Sequence, residues 1–412
     1  MNVRVRSWAA ISVALAVVTS GLVVASLPFG GTFESRAPSS AAPAIPVLGV
    51  SAPAAYDAAD GYDVWWLPDG STWTYEHATW SNLTASAGTI PHMERNVDMT
   101  YDARDGYVLL FGGEVPGNPP QPLANTWVFR GGHWSNLTGS LPVSPPERRV
   151  GVMSYDSHDG EVILFGGSAP NLAATNDTWI FAGGGWSQAT VSGPPPIGGG
   201  PGLSEFIGFV DDPSLGYAVY YDPLQSCVPS CASPALWTFR GGTWTNLSGA
   251  VSPSLRLNLF VAFTYDSSAG YLVALSACQN TPPFPCPREY GTFVFTGTGW
   301  KDVPAGSEPP GRNFASWVDD PSDSGVMVLG GCCWIDYAGI SVGWQDVWLY
   351  TSGGWTEYEP WGGGAPSPQL SDGTWIGVGM VSMAAVVLLA RGKRAPPATG
   401  GTNPVAEPLQ PR

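Results

Sequence analysis

Residues Met153 to Trp186 read MSYDSHDGEVILFGGSAPNLAATNDTWIFAGGGW. Met153-Ser-Tyr155-Asp156 runs through a turn at Asp159-Gly160 into Val162-Ile-Leu-Phe165 and then Gly166-Gly167. The unbroken apolar run before the glycine pair predicts a strand buried on both faces. Further on, Trp179 and Phe181 stand two apart, an alternation that sends both rings to one face of a sheet. Ala182–Gly185 supplies residues that tolerate positive φ, the chain reverses, and Trp186 opens the next strand. The stretch therefore predicts four short antiparallel strands.

Outward from this stretch the pattern recurs five more times. The aromatic pair and closing Trp are Trp73, Tyr75 and Trp80, then Trp127, Phe129 and Trp134, then Trp237, Phe239 and Trp244. Phe293, Phe295 and Trp300, and Trp348, Tyr350 and Trp355, complete the set. In all six copies the first aromatic and the closing Trp are 7 residues apart, and the closing Trp recurs every 52 to 58 residues. The upstream hairpin is repeated almost word for word from Met99 to Gly113, and more weakly at Tyr56-Asp57, Val210-Asp211, Tyr265-Asp266 and Val318-Asp319. Four antiparallel strands at a period near 50 describe a propeller blade. The fold class is all-β, a six-bladed propeller. A single blade cannot cover both of its faces, whereas six around an axis pack sheet on sheet.

The repeat resembles that of kelch-type propellers, the galactose-oxidase-like fold, over residues from about 47 to 358. That family's repeat has an apolar strand ending in Gly-Gly, an aromatic strand, and a Trp at short spacing, often with an Arg opening the first strand. Arg95, Arg149 and Arg312 each stand six residues before the Tyr or Val of the next Tyr-Asp position. Three copies replace Gly-Gly by Leu67-Pro68, Asp222-Pro223 and Ser276-Ala277. The resemblance implies an interaction scaffold. Copper-radical oxidases share the fold in outline, but their His and Tyr ligands have no counterpart in a chain with only His77, His92, His133 and His158.

The two ends address a membrane. Arg4 and Arg6 precede an uncharged apolar run from Trp8 to Leu27, which reads as a signal peptide or signal anchor over 1–28. A linker covers 29–46, the propeller 47–358, and a juxtamembrane stalk 359–373. A second uncharged segment, 374–390, reads as a transmembrane helix, and Arg391-Gly-Lys-Arg394 opens a tail over 391–412. Basic residues mark the cytoplasmic side. The expected location is thus the cell membrane, with the propeller outside the cytoplasm and the tail within it.

The net charge of −16 is concentrated between Ala44 and Leu370, which hold 30 acidic and 10 basic residues. So acidic a surface repels phosphate backbones and excludes nucleic acid as a partner. The partners expected are a protein or glycan outside the cell, with the membrane held by the terminal segments. An enzyme acting on surface glycans, with carboxylates near the axis, and a structural envelope component are the alternatives.

Strand direction sorts the connections onto two faces. First-to-second and third-to-fourth connections are tight turns. Second-to-third connections are long and variable, including Glu114–Asn125, Ser168–Asp177, Pro223–Leu236, Cys278–Gly291 and Cys332–Asp346. Binding concentrates in loops held on a rigid scaffold, which favours that face. All six cysteines fall there: Cys227, Cys231, Cys278, Cys286, Cys332 and Cys333. An even number outside the cytoplasm reads as disulfides stapling loops, with zinc-finger spacing absent. Four sequons, at Asn82, Asn136, Asn176 and Asn246, are candidates for glycosylation. The repeated Asp residues of the first turn (Asp102 and Asp105, Asp156 and Asp159, Asp211 and Asp212, Asp319 and Asp320) read as turn caps. Calcium is the one cofactor they would suit, and no catalytic set is evident.

Overall fold

The computed structural model describes residues between 52 and 358, apart from 92–94, 116–120, 195–206, 223–234, 251–258, 278–289, 304–307, 310–314, 331–345 and some shorter gaps. Both terminal apolar segments lie outside the described residues. Among the described residues no helix is long and apolar enough to cross a membrane.

Six antiparallel sheets follow one another along the chain, each built on four strands in sequence order. The third, for instance, comprises Val152–Asp156, Glu161–Ser168, Ala174–Ala182 and Gly185–Ala189. The second gains a short strand, Gln121–Pro122, paired with Glu114 and Val115. The first strands of successive sheets are neighbours, and Ala54–Asp57 lies beside both Arg95–Asp102 and Ser316–Asp320. These strands form an inner ring, which is the architecture of a six-bladed propeller. The ring closes between blades 6 and 1 with no exchange of strands. Ala52 N–H donates to Ser316 Oγ at 2.7 Å across that junction.

The core is divided in the same way. Six clusters of buried side chains each sit between two consecutive blades. Between blades 2 and 3, for example, Leu109, Phe111 and Val128 meet Val162, Leu164, Phe181 and Trp186. Alternation along each strand sends one set of side chains to the preceding blade and the other to the following one. In every blade the second aromatic of the third strand is the register partner of the closing Trp, with ring centroids 5.0–5.3 Å apart. Each such ring buries about 150–250 Å².

The Thr before the first aromatic ties neighbouring blades together. Trp134 Nε1 donates to Thr72 Oγ1 at 2.8 Å, Trp186 to Thr126 at 3.0 Å, Trp244 to Thr178 at 3.0 Å and Trp355 to Thr292 at 2.7 Å. Every donor comes from the blade after its acceptor. The equivalent positions in blades 4 and 6 are Leu236 and Val347, which carry no hydroxyl.

The Gly-Gly motif has a steric cause. A Cβ on Gly112 would stand 2.9 Å from the Arg148 carbonyl oxygen. One on Gly167, where φ is +113°, would stand 2.9 Å from that of Arg149. The strand entering blade 3 crosses directly over both glycines.

Blades 4 and 6 depart by one residue from the sequence expectation. The Tyr-Asp unit was aligned on Val210-Asp211 and Val318-Asp319. Pairing of Asp212 with Tyr217 and of Asp320 with Gly325 instead makes Asp212 and Asp320 the last residues of those strands. Asp211 and Asp319 therefore occupy the position that Tyr holds in the other blades. In a Val-Asp-Asp run either carboxylate suits the turn by sequence, and cross-strand register decides between them.

Candidate functional site

On the tight-turn face, six Asp residues end the six inner strands: Asp57, Asp102, Asp156, Asp212, Asp266 and Asp320, all essentially buried. Each caps its own turn. Asp156 Oδ1, for instance, accepts from the amides of His158 at 2.9 Å and Asp159 at 3.3 Å. Asp102 and Asp320 do the same with the second and third residues that follow them. Removal from water raises the carboxyl pKa of Asp57, Asp102, Asp156 and Asp320.

The residue before each cap reaches the turn of the preceding blade. The Ala59 amide bonds to the Tyr101 hydroxyl and the Arg104 amide to that of Tyr155. Tyr265 pairs with the Ser214 side chain. Asp211 takes the Ser157 amide and hydroxyl, and Asp319 takes those of Ser267 at 3.0 and 3.1 Å. Burial pushes Asp211 and Asp319 each up to about 7 despite these bonds. Asp98 is pushed up to about 6 by burial while accepting from the amides of Met99 and Met153. The carboxylates near the axis are thus engaged as caps and inter-blade ties.

Asp156, Asp159 and Glu161 are the one group of three among the described residues close enough to share an ion, with ligand atoms within 4.8 Å of one another. Glu161 stands where Tyr62 and Tyr107 stand in blades 1 and 2, whose hydroxyls donate to Asp60 and Asp105. The group has structural duties and a counter-charge. Asp159 accepts from the Gly241 amide of the next blade at 2.8 Å, and Arg104 from the preceding blade opposes the rise in the Glu161 pKa that burial, Asp159 and Asp156 cause. His77, His133 and His158 are exposed and on different blades, and His92 lies outside the described residues.

On the opposite rim lie the second-to-third connections. Arg148 is held at its edge, donating to the Gly166 carbonyl at 2.8 Å and to both Asp177 oxygens at 2.8 and 2.7 Å. Arg149 Nη1 lies 2.8 Å from Glu114 Oε2, and both side chains are buried. Arg149 was expected to open a strand; the Arg148–Asp177 fork was not anticipated. Most of the long connections, and all six cysteines, lie outside the described residues.

The sequons have a structural role. Asn82, Asn136 and Asn246 are exposed, and each Oδ1 accepts the amide of the Thr or Ser two residues on, at 2.8–2.9 Å. That Thr or Ser hydroxyl in turn accepts an amide at the start of the third strand. Asn176 is exposed, and its sequon Thr178 is the buried acceptor of Trp244.

No protein-family model matches the chain, and no curated protein matches its sequence. Solved structures do match. That of YjhT superposes with a TM-score of 0.53 at 14% identity, over 76% of this chain and 98% of the other. The SapL1 lectin in complex with alpha methyl fucoside gives 0.43 at 12% identity, over 76% and 96%. A GH74 xyloglucanase from Xanthomonas campestris gives 0.44 at 15% identity, over 77% of this chain and 46% of that one. At such identity the likeness to YjhT shows the fold alone, and the two looser ones carry no argument. The class defined is a six-bladed β-propeller.

Proposed function

We propose that this chain is a membrane-tethered binding module. Its propeller presents the second-to-third connections to a protein or glycan outside the cytoplasm. One observation carries the reading: the two faces divide their labour. Carboxylates of the tight-turn face are spent on capping turns and tying blades together, which leaves, among the described residues of that face, no facing pair committed to glycoside chemistry. Every long connection leaves the other rim, between strand ends fixed by the sheets. The basic residues after the second apolar segment support a cytoplasmic tail.

The test uses the full-length protein in detergent, with and without shortening of Glu114–Asn125 and Cys332–Asp346. Both forms are used to capture partners from solubilised envelope of the parent cells, and in parallel are incubated with surface glycan fractions. Capture by the intact form and its loss on shortening is the expected result. Equal capture by both forms moves the site off the loop rim. Turnover of a glycan without capture replaces the reading by an enzymatic one.

A further inference from the structure

Among the described residues the strongest unexplained group is Asp63. It is fully buried in the second strand of blade 1, and neither carboxylate oxygen has a hydrogen-bond partner. Equivalent positions in the other blades are Val108, Val162, Ala218, Leu272 and Val326, so this one blade places a carboxyl where the repeat packs hydrocarbon. Alternation puts Asp63 on the same side as Trp65 and Leu67, which pack against Val318, Met327 and Leu329 of blade 6. The residue therefore belongs to the seam that closes the ring.

Among the described residues its surroundings hold no Lys or Arg. Tyr56 of the first strand and Tyr75 of the third are its register partners. From blade 6 the charges that bear on it are Asp320, Asp319 and Asp323. Asp320 keeps one oxygen buried and unpartnered as well. Beyond these, Glu76 acts on Tyr56, and His77 Nδ1 sits 3.5 Å from Asp323 on the exposed edge. An isolated ionised carboxylate in such a place carries a desolvation cost that no neighbour offsets, so the group adopts its neutral form.

The seam also lacks the Trp–Thr tie that four of the six seams have. Val347 offers Trp80 no hydroxyl, and Trp80 is only half-buried, whereas the closing Trp of every other blade is buried. The polar contacts that remain across the seam include Ala52 to Ser316, and Tyr75 Oη to Asp323 at 3.2 Å.

We propose that Asp63 is a proton-carrying closure of the propeller. As the neutral acid it lets blade 1 seat against blade 6, and its ionisation loosens that seam before any other. The ring is then tightest in acidic surroundings. The sign is fixed by the fold. Burial makes the folded state hold its proton above the ordinary Asp range, so the contribution is complete below about pH 4 and is lost as pH rises towards the folded-state pKa.

Two measurements on the full-length protein test this. Thermal midpoints of wild type, Asp63→Asn and Asp63→Val are compared between about pH 4 and pH 8. Both variants are expected to gain several degrees over wild type at the upper end, with a smaller difference at the lower. A gap between wild type and both variants that does not widen as the pH rises overturns the proposal. Hydrogen exchange of the wild type, corrected for intrinsic rates, covers the case in which the variants do not fold. Raising the pH should release Tyr62–Trp66 and Ser316–Asp320 before Tyr107–Val115 and Glu161–Ser168. Simultaneous release, or release of another junction first, removes Asp63 from this role.

Discussion

The junction between blades 2 and 3 and the junction between blades 6 and 1 are copies of one repeat held together by different means. At the first, Trp186 bonds to Thr126, the Arg104 amide to Tyr155, the Met153 amide to Asp98, and Arg149 to Glu114. At the second, Val347 replaces the Thr, and an unpartnered Asp63 lies between the sheets. Apolar packing is similar in kind at both. The difference teaches that hydrophobic burial makes the ring, while polar ties set how firmly each joint is shut.

The comparison can be broken most severely at Arg149. Arg149→Met leaves Glu114 buried opposite an apolar chain and should cost about 3–5 kcal/mol in denaturant unfolding. Adding Glu114→Gln should recover much of that loss, as a double-mutant cycle would show.

Next comes pH. Asp211 and Asp319 are raised to about 7 and Asp98 to about 6, so the folded state holds more protons than the unfolded one above pH ~4. Their contribution to stability is full below that point and declines as pH rises through about 7. Replacing Asp211 and Asp319 together by Asn should flatten the fall in midpoint between about pH 5 and pH 8. An unchanged slope would show that these carboxyls do not retain their protons.

Thr126→Val keeps the shape and strands the buried Trp186 N–H, at a cost of about 1–3 kcal/mol. Thr126→Ser should restore most of it. The smallest effect runs the other way. Val347→Thr gives the closing seam the acceptor it lacks and should stabilise it by about 0.5–1.5 kcal/mol. A Val347→Thr variant less stable than wild type would show that Trp80 does not sit as the other closing Trp residues do.

The blades were legible because their signals are local. A ring every second residue, a glycine turn and a closing Trp at fixed spacing report strand, reversal and strand without reference to anything distant. Turn-capping by Asp was legible for the same reason. The ties between blades were less so, since donor and acceptor such as Trp244 and Thr178 stand 66 positions apart. The one-residue shift at Asp211 and Asp319 escaped because two adjacent carboxylates suit one turn equally. Asp63 was visible in principle: aligning the six second strands sets it against Val, Val, Ala, Leu and Val. A single polar residue in a strand, read alone, does not announce that it is buried.

The sequence by itself determined the repeat, the number of blades, the strand order within each blade and which face carries the long connections. Those properties follow from period-2 alternation, turn chemistry and spacing, all confined to one repeat. Only the tertiary structure decided that the ring closes without exchanging strands. It alone showed which carboxylates are spent on neighbouring turns, and that one acid stands without a partner at the joint. These depend on which surfaces meet when the last blade returns to the first. That contact joins residues more than 240 positions apart, such as Tyr75 and Asp323, and burial there sets each group's charge.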